Sequence, residues 1–491
     1  MSAWRRSARM SWICALIAGC AFSAPRLSPP DGSTPLAAAP ITQGAPAPPV
    51  HQLFLPIGMR DNLTPTPFQP LEVTPTFLPT AIPTATQPPA RFKARPPSEP
   101  AVTAIPPPMP QMSGEGTLNI LLIGSDQRGS GAFRTDTLII ASIQPQHDTI
   151  TLISIPRDLF VYIPGWTMQR VNTAYLHGKL SRYPGGGPGL LKDTLLYNLG
   201  IRIDHIAMVD FGGFRKIVNL LGGLDIPLAC AFTDWHVINP NASLENPNNW
   251  KLYTVGPGLV HMDGDLALWY ARSRLRSNDF DRGRRQQEVL RAMYARAMQL
   301  DMLPRLGELY AEVQTMLDTD VSLDTLLALT PLALSLNAPR IRSYYINNTM
   351  VKGWMTPQGA AVLLPKRDKI QALIQEAMAP PDRTEELRLS LVVEVLNGTR
   401  NPNWETLAAE RLHYAGFETR LGVAERQDVS KSLLIDFTPG QKASDGTAIL
   451  AMLSLPANRL VGQPTPGSPV AYRLILGEDY KPCFNPSKLI H

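Results

Sequence analysis

Cysteine is scarce in this 491-residue chain: there are four, and only Cys230 and Cys483 lie beyond the first twenty residues. That excludes a cysteine-rich metal site and a multi-bridge disulfide scaffold. The two that remain could pair in an oxidising exterior, but cysteines in such distant segments are expected to stay unpaired. Long apolar runs are also missing. The best one, residues 10–18, is too short for a confident transmembrane helix and follows Arg5, Arg6 and Arg9, so it reads as an export signal. Nor is there a strong excess of one charge. No acidic residue precedes Cys20, so removing the segment before it takes three arginines away and lowers the formal charge of +5 to +2. A nucleic-acid partner gains nothing from that balance. No internal repeat is visible, and His177, His205 and His261 are scattered singly, as packing or surface histidines rather than a base.

Proline, by contrast, is abundant and unevenly placed: half of the 48 prolines fall in residues 25–110, mixed with Thr, Ala, Gln and Ser. Such a segment buries too little apolar surface to offset the entropy of ordering it, so residues 24–113 read as a disordered, extended tether. As a random coil, ~90 residues span about 50 Å, with a polyproline limit of roughly 280 Å. Residues 1–23 hold the signal. Ile17, Ala18, Gly19 and Cys20 are similar to a bacterial lipobox, making acylation of Cys20 the leading reading of the anchor. An uncleaved signal anchor and a simple cleaved peptide are the alternatives.

Beyond the tether, length allows two folded units. Residues 118–123 form an apolar run ended by Gly124, Ser125 and Asp126, a buried strand entering a loop. Residues 137–143 and 149–155 read as a hairpin, 205–211 as a strand, and 212–221 as a helix stopped by Gly222 and Gly223. A long helix is expected from Gln286, with Leu290, Met293, Tyr294 and Ala297 on one face. Residues 303–378 read as mostly helical. Strands mixed with crossover helices predict a three-layer α/β/α sandwich with a mixed central sheet over residues 114–380. After Pro380 and Pro381 a small α/β domain is expected over 387–482, with a strand at 389–396, a helix at 404–414 and a last strand at 472–476.

Four clusters combine acids and arginines near predicted strand ends, where α/β sheets commonly bind ligands. They are Asp126 with Arg128; Arg134, Thr135 and Asp136; Pro156, Arg157 and Asp158 followed by Arg170, Asn172 and Tyr175; and the stretch from Arg272 through Arg274, Arg276, Asp279, Asp281, Arg282, Arg284 and Arg285 to Gln286. Two carboxylates brought together repel unless a cation lies between them, and hard oxygen ligands suit Mg²⁺ or Mn²⁺. Taken singly, Asp136 reads as a turn cap and Asp126 as a solvated loop residue. The fourth cluster contains six arginines and no lysine, and Arg282, Arg285 and Gln286 fall at three- and four-residue spacing near the expected helix start. A solvated charged face would explain the run. Arginine forks also match phosphate oxygens, and a helix start favours an anion, so a diphosphate fits it.

NILLIGSD at 119–126, RTDT at 134–137, SIPRD at 154–158, RVNTAY at 170–175, and YARSR followed by DFDRGRRQQ occur in that order. Together they resemble the LytR-CpsA-Psr domain over residues 116–378. VLNGT at 395–399, Gly416, Phe417 and residues 476–480 resemble the LytR C-terminal-type domain that often follows it. The resemblance implies a transferase that moves a glycopolymer phosphate from a polyprenyl-pyrophosphate lipid to peptidoglycan, with the prenyl chain in a hydrophobic tunnel. It implies that Asp126 and Asp136 hold Mg²⁺, and that Arg134, Arg157, Arg272, Arg274, Arg282 and Gln286 hold the pyrophosphate. Asp158 and Asp279 match further family positions without an assigned step. Arg170, where many members carry Lys, and Asp281, where Gly is common, are departures. Residues 211–224 and the helix after Gln286 are candidates for the tunnel wall.

Overall fold

The apolar residues of the first strands alternate between two faces, and each face is covered by a different set of helices. In the computed structural model the described residues run from 104 to 483, apart from 113–115, 127–134, 238–245, 275–278, 303, 305 and 439–442. The signal, Cys20, most of the tether, Arg128, Arg134 and Arg276 lie outside them.

In chain order the larger part contains β1 (Leu118–Ser125), β2 (Thr135–Gln144), β3 (Thr149–Ser154), α1 (Ala174–Leu180), α2 (Gly186–Leu199), β4 (His205–Val209) and α3 (Phe211–Leu220). It continues with β5 (Leu224–Leu228), β6 (Phe232–Val237), β7 (Trp250–Val255), β8 (Gly258–Met262), α4 (Gly264–Arg272) and α5 (Asp279–Gln299). Last come α6 (Leu306–Val313), β9 (Leu317–Thr319), α7 (Leu323–Ser335), β10 (Ile341–Tyr345) and α8 (Arg367–Met378). The central sheet has the order β9-β4-β1-β2-β3-β10. It is mixed: β1 with β4 and β3 with β10 are parallel, and the other pairs antiparallel. Leu121, Ile123, Leu138, Ile140 and Ile153 pack toward α2 and α8. Their neighbours Ile120, Ile139, Ala141 and Leu152 pack with Leu290, Tyr294 and Leu332 of α5 and α7 on the other side. This is the expected sandwich. Small ribbons, β5 with β8 and β6 with β7, form a further core with α3, α4 and α5.

A separate core closes the chain. It is built from α9 (Arg383–Leu389), β11 (Val392–Asn397), α10 (Trp404–Tyr414), β12 (Glu418–Val423), β13 (Leu433–Asp436), α11 (Ala443–Met452), β14 (Leu460–Gly462) and β15 (Tyr472–Leu476). Its sheet order is β12-β11-β15-β13-β14.

Four expectations need correction. Residues 303–378 are not mostly helical: they supply two strands of the central sheet, β9 and β10, which are too short to show a periodic pattern. The strand expected from Leu389 begins at Val392, because Asp382 caps α9 with Glu385 in a reciprocal capping box and the helix runs through Leu389. The last tether residues are seated rather than loose: Met109 N–H donates to Tyr197 O at 2.8 Å, and Met112 N–H to Gly200 O at 2.9 Å. Gly200 is needed there, since a Cβ on it would lie 2.1 Å from Pro110 O. Finally, Cys230 and Cys483 are joined in a disulfide across 253 residues. Folding brings the loop after β5 against the end of the chain, a proximity that separation in sequence concealed.

Candidate functional site

The β1 and β2 ladder is irregular at one end, where the register shifts between Gly124 and Ser125. Such an irregularity re-aims side chains. Gly124 faces Thr137 so closely that a Cβ would lie 2.9 Å from its side chain. Asp136 therefore sits at the irregularity and Asp126 just past the partner strand, both at the same sheet end.

Arg157, from the loop after β3, donates to Asp136 Oδ1 at 2.5 Å, and its Nε lies 3.5 Å from Asp158 and 3.9 Å from Asp279. Burial pulls its pKa down, but the three carboxylates outweigh this, and it stands above the ordinary arginine value. Arg170 reaches Asp158 at 3.5 Å. Arg282, only 5% exposed, reaches Asp279 at 2.8 Å and donates to the Asp136 carbonyl at 3.0 Å. Its pKa is lowered, by burial first, against Asp279, and with the nearby Arg157 and Arg274 adding to the effect. Gln286 donates to Thr137 Oγ1 at 2.8 Å, and Arg272 lies 3.7 Å from the centre of the Phe211 ring. Arg274 is exposed, with Asp279 at 4.0 Å.

Some of these groups rim a cavity of about 440 Å³ between α3, α4, α5 and the sheet. Asp136, Arg272, Arg274, Arg282 and Gln286 line its polar end. Ala207, Phe214, Ile217, Leu290, Met293 and Leu317 line the rest. Both sequence candidates for a tunnel wall therefore contribute to one cavity. Its chemistry is that of an anion clamp at the head of an apolar slot.

The sequence clusters do not all converge. Arg157 is not among the cavity-lining residues; it lies behind the rim, tied to Asp136. Arg285 does not share the Arg282 and Gln286 face: it is fully buried, donating to the carbonyls of Tyr270 (2.8 Å) and Ser273, and burial lowers its pKa to about 10. Tyr175 is in the core, where burial and then Asp318 raise its phenol to about 12. The helix carrying the arginines begins at Asp279, so Arg282 and Gln286 lie inside it, while Asp279 and Asp281 occupy the first turn. Its free N–H groups are thus not theirs to share with an anion. Phe211, expected only as part of the tunnel wall, lies against Arg272, and Thr137, expected only as the end of the RTDT motif, accepts from Gln286.

Among the described residues no three His, Cys, Asp or Glu groups cluster as a complete metal cage. Asp136 lines the polar end with its Oδ1 held by Arg157, whereas Asp126, just past β1, is not among the lining residues; one or two carboxylates with waters and substrate phosphates are the donor set that Mg²⁺ commonly takes.

Comparison with known proteins bears on this arrangement. A polyisoprenyl-teichoic acid–peptidoglycan teichoic acid transferase TagU of Oceanobacillus iheyensis is 31% identical over 211 residues, 43% of this chain and 60% of the relative. A probable cell wall biosynthesis protein LcpB of Corynebacterium glutamicum is 32% identical over 206 residues, 39% of this chain and 44% of the relative. The matched region thus spans less than two thirds of either. The crystal structure of B. subtilis TagV aligns with a TM-score of 0.43 at 24% identity, covering 54% of this chain and 98% of that one. The structure of the LytR-CPS2A-psr family protein YwtF (TagT) with bound octaprenyl pyrophosphate lipid aligns at 0.38 and 24%, covering 54% and 90%. The LytR_cpsA_psr family model matches residues 91–378, more than half the chain, including the whole central sheet and the rim of the cavity, so this chain belongs to the LytR_cpsA_psr family.

Proposed function

We propose that this protein transfers a glycopolymer phosphate from a polyprenyl-pyrophosphate carrier to peptidoglycan, releasing polyprenyl phosphate. The observation that carries the reading is one cavity with an arginine-lined head and an apolar body, the pairing of charge and grease that a lipid diphosphate requires. Relatives named as teichoic acid transferases support it. In the step, an acceptor hydroxyl oxygen attacks the polymer-side phosphorus, the bond to the bridging oxygen breaks, and polyprenyl phosphate leaves with that oxygen. The hydroxyl proton passes to solvent. Arg272, Arg274, Arg282 and Gln286 hold the diphosphate and neutralise charge gathering on the leaving phosphate. Arg157 orients Asp136, and Arg134 adds a further guanidinium. Asp126 and Asp136 would hold Mg²⁺, or Mn²⁺, which when bound screens the diphosphate charge.

The protein works outside the cytoplasm, acylated at Cys20 and leashed to the membrane by residues 24–113, and residues 387–482 form a LytR C-terminal-type domain. Mass spectrometry of the exported protein should find a diacylglyceryl group on Cys20; an intact peptide through that residue rejects the lipid anchor. The activity is tested by incubating the purified chain with a polyprenyl-pyrophosphate-linked glycan, peptidoglycan fragments and Mg²⁺. Polymer joined through phosphate to the acceptor, with polyprenyl phosphate, is expected. Release of free polymer phosphate alone would make it a pyrophosphatase, and binding without turnover a wall-polymer binding module.

A further inference from the structure

Arg285 is one of the cluster's arginines that the proposed reaction does not use, and it is fully buried. It lies on α5, one residue from Gln286, yet points away from the cavity into a fully buried position. Its Nε donates to Tyr270 O at 2.8 Å and its Nη2 to Ser273 O, while Gln286 Nε2 donates to Ala271 O at 3.3 Å. Those three carbonyls belong to the last turn and C-cap of α4, where helix geometry leaves acceptors without backbone partners. A cation there is favoured by hydrogen bonding and by the helix dipole. The capped residues are interleaved with two of the arginines at the rim: Arg272 ends α4, Ser273 follows, and Arg274 comes next.

The other side of the Arg285 guanidinium rests on Phe232, 4.4 Å from the ring centre. Phe232 is two residues from Cys230, whose disulfide to Cys483 fixes this loop to the end of the chain. Phe232 also meets Tyr270 edge-on at 5.3 Å. We propose that Arg285 is a positioning residue that sets the aim of Arg272 and Arg274 by capping α4, and that the Cys230–Cys483 disulfide holds the ring on which Arg285 rests. The inference rests on the rim being the diphosphate site. It adds a brace from the C-terminal unit to the headgroup, while the apolar wall is built from other residues.

The test compares the full chain with Arg285→Met, Arg285→Lys and the double variant Cys230→Ser/Cys483→Ser, using geranylgeranyl diphosphate, geranylgeraniol and donor turnover. A misplaced clamp should weaken diphosphate affinity about 10-fold and slow turnover up to about 10²-fold, the cost expected of an ångström-scale misplacement. Affinity for the alcohol should stay unchanged. Lysine, with one donor group, should recover part of what methionine loses. If Arg285→Met does not fold, the cysteine variant still decides, because it alters no residue at the rim. Unchanged diphosphate affinity in the variants, or an equal loss for the alcohol, overturns the brace. A wild-type chain that binds diphosphate no better than alcohol overturns the site assignment itself.

Discussion

Arg282 and Arg274 are eight residues apart at one rim and occupy opposite environments. Arg282 is buried against Asp279 and a backbone carbonyl, so its removal would strip partners from both. Arg274 is 47% exposed in its side chain and 4.0 Å from Asp279. An exposed pair at that distance contributes little stability. Arg274→Ala is therefore expected to leave thermal unfolding within about 0.5 kcal/mol of wild type while slowing transfer by ~10²- to 10³-fold, the usual cost of deleting an electrostatic donor. Asp136→Ala should abolish turnover in a folded chain. Full activity in both variants, measured with the donor assay, removes the rim from the reaction. The residues named for this rim were legible because acids and arginines recur beside strand ends without lysine. Arg285 was misread because three-residue spacing sets neighbouring side chains about 60° apart on a helix, enough for one to enter the cavity and the other the core.

At the scale of elements, α5 is a partition. Gln286, Val289, Leu290 and Met293 line the apolar cavity, while Arg284 and Glu288 line a second cavity of about 410 Å³ beside α10. The apolar spacing from Leu290 onward announced this helix, but its first two turns carry few apolar residues, so the start at Asp279 stayed hidden. The short strands β9 and β10 stayed hidden for a related reason: three to five residues hold too few alternations to outweigh helical neighbours. The partition gives a test of the cavity's two ends. Met293→Trp puts bulk into existing space about two helical turns beyond Gln286, so overpacking should be slight. It should weaken geranylgeranyl diphosphate binding by about 10-fold or more, since the lost apolar contact is worth about 1.5–3 kcal/mol, and leave inorganic pyrophosphate binding unchanged. Equal loss for both ligands in calorimetric titration would mean that the slot does not hold the chain.

Across the whole molecule, the C-terminal unit meets the larger part through a mixed and imperfectly filled contact. Arg291 is buried, donates to Ile341 O at 2.6 Å and Ala338 O at 3.2 Å, pairs with Glu410 at 3.3 Å and lies 4.4 Å from the Tyr414 ring centre. Beside it is the 410 Å³ cavity, whose walls come from both parts. That space is a cleft partly open to solvent, so the two parts share fewer apolar contacts there than across a closed core. The disulfide supplies what packing does not: closing a loop across 253 residues stabilises the native state by about 5 kcal/mol on chain-entropy grounds. Nothing in the spacing of two isolated cysteines announced that role. The oxidised chain should consequently unfold in one calorimetric transition. Cys230→Ser/Cys483→Ser should split it, with the C-terminal core, which has its own buried set around Val393, Leu474 and Tyr472, melting apart from the sandwich. A single transition at unchanged temperature would show that the Arg291 contacts hold the units without the covalent link.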